Sequence, residues 1–336
     1  MKLSKKKIGG GIGAFLFLGI VVVILLFFIP NGEGNFRKLI ITEDSTFETV
    51  MQDIQESGQV KSFFTFRIAA QILDFKGNIK KGKYTFKENE SNFSLIKMLR
   101  RGQHVPVRFT FNNIRTKEQL VKKLDGKFLF ERNELENLLD NRTFLSTFGL
   151  TPETTISIFI PNTYELYYDI TAEQFFSSMY KQYNRFWNEK RDQQAQKIGL
   201  SRSQVVTLAS IVEEENFKEV EKGLIAGLYI NRLIKGMKLQ ADPTVKFALQ
   251  DFRITRITEE HLMTDSPYNT YLYTGLPPGP IRIPATSTVD SVLNYRHHDY
   301  IYMCAKEDFS GRHSFAKTYN EHLKNAAKYH QALNGR

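Results

Sequence analysis

The chain of 336 residues holds a single cysteine, Cys304, so it can form no intramolecular disulfide. This is neutral about compartment, because exported proteins without disulfides are ordinary. There is no zinc-finger spacing and no glycine-rich phosphate loop. The motif H-E-x-x-H is missing, and His297 and His298 are adjacent instead of helically spaced, which argues against metal catalysis. No G-x-S-x-G elbow supports a serine nucleophile. Nothing in the sequence calls for a cofactor. Negative charge is in deficit, with 46 Lys+Arg against 36 Asp+Glu, so anionic partners are favoured. Four of those cations, Lys2, Lys5, Lys6 and Lys7, precede the first apolar segment, and without them the excess falls to about +6. Nucleic acid is therefore not an expected partner.

Long apolar runs are also scarce, with one exception. Residues 8–29 carry no charge and are rich in Val, Leu, Ile and Phe, long enough for a hydrocarbon core that needs about 20 residues. No A-x-A site follows at Pro30–Gly34, so a transmembrane anchor is expected over 8–29, not a cleaved signal peptide. With residues 1–7 basic, the positive-inside rule puts that tail in the cytoplasm and the rest outside, tethered to the cytoplasmic membrane.

From about 38 to 103 the pattern predicts a small α/β unit. Strands are expected at 39–42 and 82–86, helices over 46–56 (capped by Ser45), 63–73 (capped by Ser62) and 91–101. This order resembles a LysM-like module, a type that grips N-acetylated glycans. Residues 104–336 read as a mixed α+β domain rich in helices. The segment 155–168 is an aromatic strand and loop whose tyrosines fill a half-exposed seam or, on the family resemblance carried by later blocks, stack on sugar faces. One long helix is expected over 171–198, with Phe175, Phe176, Met179, Tyr180, Tyr183 and Trp187 turned to the core.

The stretch L-A-S-I-V-E-E-E-N at 208–216 ends an apolar helix in three carboxylates. Helical periodicity buries Val205, Leu208, Ala209 and Val212 and sends Glu214 to solvent, paired with Lys218 at i+4. Glu213 and Glu215 fall on opposite flanks, and periodicity does not choose between them. Downstream, Asp242 precedes Pro243 and is expected to cap a helix beginning there. Residues 265–281 form a long irregular segment dense in Tyr, Pro and Gly, and such loops are usually functional.

These blocks resemble one family, the MltG (YceG-like) endolytic murein transglycosylases. The resemblance is carried by A-S-I-V-E-E-E at 209–215, L-Y-I-N-R-L-I-K-G-M-K-L-Q-A-D-P-T-V at 228–245, S-P-Y-N-T-Y-L-Y-T-G-L-P-P-G-P-I at 266–281 and G-R-H-S-F at 311–315. Two departures stand out: S-I-F-I-P-N-T-Y at 157–164 replaces a block that normally carries an acid and a glycine, and Pro284-Ala285 replaces a proline-glycine. The resemblance implies a membrane-tethered enzyme that cuts peptidoglycan glycan strands, working beside the cell-wall synthesis machinery. It names the second glutamate of E-x-E, here Glu215, as the catalytic acid. Substrate contacts are expected from Glu213, Gln240, Asp242, Thr244, Tyr268, Asn269, Thr270, Tyr271 and His313, with Tyr273 as a further stacking surface. The rivals are a glycoside hydrolase, which needs a second carboxylate such as Asp242 or Glu213, and a tethered glycan-binding scaffold without catalysis.

Overall fold

A computed structural model describes residues 5–34, 38–215 and 218–335, with side chains from residue 14 onward. Its architecture is mixed α+β, dominated by helices, with three two-stranded sheets. By contact the chain divides into two units: one holds residues up to Arg108 together with 126–130 and 165–171, and the other holds 109–125, 131–164 and 172–336.

The first unit begins with helix α1 (Lys5–Phe27). Among the described residues no helix is long and apolar enough to cross a membrane. The anchor expected over 8–29 falls on α1 and the two residues after it, where side chains are described only from residue 14 onward. The last turn of α1 is held in place, with Leu26 and Phe27 packing on the core of the unit and the Asn92 side chain donating to the Leu26 carbonyl at 2.8 Å. There follow β1 (Leu39–Ile41), α2 (Phe47–Ser57), α3 (Phe63–Ile72), β2 (Gly82–Tyr84) and α4 (Asn92–Arg101), with β1 and β2 antiparallel in the register Ile40 to Lys83. Alternation along each strand turns Leu39, Ile41 and Tyr84 into a core shared with Val50, Ile54, Phe66 and Leu95, all buried. Ser62 and Ser91 cap α3 and α4. Helix α2 starts one residue later than expected: Thr46 is its cap, while Ser45 Oγ accepts from the Thr42 backbone N–H.

Strands β3 (Val107–Thr110) and β4 (Thr163–Leu166) make the second sheet, and α5 (Lys117–Leu124), α6 (Arg132–Asp140) and α7 (Arg142–Ser146) lie between them in sequence. Of the tyrosines in the segment 155–168, Tyr164 does not face a ligand: it is buried, stacks on Phe109 at 5.6 Å and donates to the Ile160 carbonyl at 2.6 Å, whereas Tyr167 is exposed. The long helix expected over 171–198 is two, α8 (Ala172–Phe186) and α9 (Glu189–Ile198). Asn188 breaks it by accepting the Arg191 N–H as a new N-cap, a local bond that competes with helix continuation.

Helix α10 (Arg202–Glu215) is the hub of the second unit and touches α9, α11 (Glu219–Ile234), α12 (Asp242–Leu249) and, beyond the short α13 (Glu259–Leu262), α14 (Thr286–Leu293). Ser201 opens it, its Oγ accepting from the Gln204 N–H. Every residue from Val205 to Glu213 is buried, so this helix has no solvent face along that length. Helix α11 needs glycine at 227, where a Cβ would stand 2.4 Å from the Arg296 carbonyl oxygen. The hairpin of β5 (Tyr302–Ala305) and β6 (His313–Ala316) packs against α15 (Tyr319–Asn334) and completes the unit.

Candidate active site

The three glutamates that end α10 do three different things. At 100° per residue, Ser210, Glu213 and Glu214 share one side of the helix, whereas Glu215 projects roughly 200° from Glu213. Ser210 Oγ accepts from the Ile281 N–H at 3.0 Å. Glu213 Oε2 accepts from the Ala285 N–H at 2.7 Å and the Thr288 hydroxyl at 2.6 Å, and its other oxygen lies 3.5 Å from the Arg282 guanidinium. Glu213 is thus a buried fastening for the segment 281–288, not a substrate ligand. A carboxylate buried this deeply is tolerable because donors surround it.

Glu214 is not solvent-facing either. Arg115 grips it with two hydrogen bonds of 3.0 and 3.1 Å, and Arg282 adds one of 2.7 Å. The expected partner Lys218 instead donates to the Ser310 carbonyl. Periodicity failed at Glu214 and could not place Glu213 because it presumes one buried face, whereas α10 is enclosed on several sides.

Glu215 alone turns into a cleft of about 380 Å³, lined with Tyr229, Arg232, Gln240, Asp242, Tyr271, Tyr302, His313 and His322 among others. The Tyr229 hydroxyl donates to Glu215 Oε1 at 2.6 Å. Burial pushes the Glu215 carboxyl up to about 7; the Tyr229 hydrogen bond opposes this, and the nearby Asp242 charge adds to it. With Oε1 engaged as an acceptor, a proton on this group belongs on Oε2.

The other walls come from separate elements. Asp242 is the first residue of α12 and makes no side-chain cap; Ala241 holds the cap position, so the Asp242 carboxylate is left to accept from the Tyr271 hydroxyl at 2.6 Å. Gln240 sits at positive φ and accepts from Arg232 through Oε1 at 3.2 Å. Arg232 is buried, bonded to the carbonyls of Ile301, Lys238 and Leu239. His313 enters from β6, its Nδ1 3.2 Å from the buried Glu221.

Several expected substrate contacts are structural. Thr244 and Thr270 are buried, 2.9 Å apart through their hydroxyls, and the Thr270 hydroxyl accepts the Ala241 N–H. Asn269 is buried and spends its amide on the carbonyls of Leu262 and Thr264. These residues shape the loop beside the cleft. Tyr268 packs on Phe247 and lines a different cavity, and Tyr273 donates to Asp265 away from the cleft. The loop's Gly279 is required because a Cβ there would meet the Glu153 carbonyl oxygen at 1.8 Å. Sequence reasoning missed Tyr229, Arg232, Tyr302 and His322. The first two lie in the block L-Y-I-N-R at 228–232, whose polar members inside an apolar helix were the available signal.

One consequence concerns Tyr229, a positioning residue. Its hydrogen bond favours the carboxylate, so Tyr229→Phe is expected to raise the Glu215 value above about 7. The midpoint of the Glu215 titration, followed by carbon-13 NMR of its carboxyl, then moves to higher pH. An unmoved midpoint would show that Tyr229 does not hold the carboxylate.

Comparison with known proteins follows the same residues. The model of the YceG-like family matches residues 39–328. An endolytic murein transglycosylase of Bacillus subtilis (strain 168) is 33% identical over 222 residues, covering 65% of this chain and 60% of the relative. One from Streptococcus pneumoniae is 24% identical over 338 aligned positions, covering 88% of this chain and 59% of the relative. The chain spans about three-fifths of the length of these relatives. A crystal structure of a YceG-like protein from Listeria monocytogenes superposes with a TM-score of 0.55 at 26% identity, over 86% of this chain and 98% of that one. Since the matched span takes in Glu215, Asp242, Tyr271 and His313 together with the elements that carry them, this chain belongs to the YceG-like family.

Proposed function

We propose that this protein is an endolytic murein transglycosylase that cuts the MurNAc–GlcNAc bond of peptidoglycan strands and leaves a 1,6-anhydromuramoyl end. The observation that carries the reading is Glu215, lifted to about 7 at the edge of a cleft. The names of the Bacillus and Streptococcus relatives support it.

The bond from muramoyl C1 to the leaving O4 breaks through an oxocarbenium-like transition state, and O4 needs a proton as it departs. Glu215, half protonated near neutrality, supplies that proton from Oε2. The resulting carboxylate then takes the proton of the muramoyl C6 hydroxyl as that oxygen closes onto C1. The acid is regenerated, no water is consumed, and one carboxyl serves both steps. Arg232, Gln240 and His313 offer donors or acceptors to the sugar's amide and hydroxyls, and the Tyr271 ring offers a face.

A hydrolase is the second reading, favoured by one observation: Asp242 shares the cleft and can serve as a second carboxylate. Mass analysis of the released strands separates the two, since an anhydro end is one water lighter than a reducing end. Reducing ends alone would overturn the proposal.

The reading includes a membrane tether over residues 8–29, with residues 1–7 cytoplasmic, the remainder outside, and peptidoglycan synthesis enzymes as neighbours. Its support is the uncharged run and the exposure of Phe15, Leu16 and Phe17 on α1, apolar area that water penalises. The β-α-α-β order of β1, α2, α3 and β2 supports a LysM-like first unit. Because Leu26 and Phe27 belong to that unit's packing, a chain lacking residues 1–22 is the proper test. It is expected to leave the membrane fraction; continued sedimentation with membranes would sink the tether.

A further inference from the structure

The first unit carries a second cavity, of about 400 Å³, that the reaction at Glu215 does not use. It is lined by Lys38, Lys83, Arg108 and Lys127 with no carboxylate among the lining residues. The larger cavity of the second unit differs in this respect. There Arg115, Lys117 and Arg142 are answered by Glu214, Asp140 and Glu153, so its cations are already neutralised. Around the first-unit cavity none of the four cations forms an ion pair among the described residues.

The backbone explains why they converge. On β2 the side chains alternate, so Tyr84 enters the core while Lys83 and Thr85 face the opposite side, and Lys38 stands just before the partner strand β1. The Val105 N–H bonds the Lys83 carbonyl at 3.2 Å and lays residues 105–108 along this edge. Lys127 reaches the same cavity from the segment 126–130. Lys83 is half-buried over the Tyr168 ring at 4.9 Å, a cation-π contact that supplies no counter-charge. Asp169, the next residue, is engaged by His104 at 3.4 Å. Burial, and then the charges of Lys38 and Lys127, hold the Lys83 ammonium below its ordinary range. Clustering like charges at a half-buried point opposes folding, and an anion bound among them relieves that repulsion.

We propose that this cavity is a phosphate-anion site, built for a multiply charged group such as a pyrophosphate or a phosphomonoester. One carboxylate would neutralise only one of four cations, whereas a pyrophosphate balances most of them. Lysine ammonium groups serve as point-charge partners for phosphate oxygens. The ligand is either a small phosphate or the phosphate of a lipid or polyol headgroup, and the two are separable experimentally.

The test is calorimetric titration of the full chain in neutral detergent with inorganic pyrophosphate, with glycerol 1-phosphate and with acetate. Saturable binding of pyrophosphate or of glycerol 1-phosphate is expected, the preferred one identifying the source, with acetate much weaker. Lys83→Gln combined with Lys127→Gln is expected to raise the Kd at least about tenfold, the loss that follows removal of charge-assisted contacts. Circular dichroism of the variant checks that it is folded, and Lys38→Gln, at an exposed position, provides a milder second variant with a smaller shift in the same direction. No saturable binding of either phosphate, equal binding of acetate, or a Kd untouched in the variants would overturn the site. The readout is binding, so it stands apart from whatever reaction occurs at Glu215.

Discussion

Glu215→Gln is expected to lower the release of anhydro-ended fragments from purified murein by about 10²-fold or more, the scale on which a positioned acid–base group contributes. The amide keeps the volume of the side chain, and its oxygen still accepts from Tyr229, so the cleft keeps its shape while losing the carboxyl that burial lifts to about 7. Stability should move the other way. A carboxyl whose value rises from 4.5 to about 7 on folding favours the folded state below about 4.5, and that contribution is lost as pH rises through about 7. The variant has no such loss, so its Tm should exceed that of the parent at pH 8 and the gap should close by pH 4. After allowance for partial exposure the difference is on the order of 2 kcal/mol. Cleavage by the variant at more than about a tenth of the parent rate would remove Glu215 from the acid–base role.

The largest effect on folding is expected at Arg282. Its side chain is 5% exposed and donates to Glu214 at 2.7 Å and to Asn113 at 3.1 Å, with Glu213 3.5 Å away. Arg282→Met keeps the length and removes the charge, leaving the buried Glu213 and the partly buried Glu214 with Lys222 and Arg115 as their remaining counter-ions. The cost should be about 3–5 kcal/mol, the range for breaking a buried pair from one side. Denaturant unfolding measures it. Adding Glu213→Gln should return part of the loss, because one stranded charge is then gone, and the double-mutant cycle reads that coupling directly. A loss below about 1 kcal/mol would place this network with ordinary surface pairs.

Much of the local structure is legible because local physics decides it. Ser62 and Ser91 cap helices where their hydroxyls reach orphan N–H groups, and Gly58 and Gly102 end α2 and α4 in the left-handed region. Errors arise where a competing local bond was invisible, as at Asn188, which divides α8 from α9, or at Thr46, which displaces Ser45 as the cap. Tyr164 is ambiguous in sequence because an aromatic residue serves a core and a sugar face equally well until its neighbours are known. At the site, the matched blocks point to the right stretch of chain but not to each residue's task. Thr244, Asn269 and Thr270 sit within those blocks and are consumed by hydrogen bonds that shape the loop.

By itself the sequence determined that an apolar helix ends in Glu213, Glu214 and Glu215, that a Tyr- and Pro-rich loop follows, and which family's blocks these are. Those properties depend on residue order and short-range periodicity. Only the tertiary structure decided what separates the three acids. Arg115 and Arg282, distant in sequence, take Glu214, and the backbone at Ala285 with Thr288 takes Glu213. Tyr229 from α11 and Asp242 from α12 then surround Glu215 in a half-buried cleft. A carboxyl's ionisation depends on what lies within a few ångströms of it, and those neighbours are supplied by packing between elements far apart in the chain.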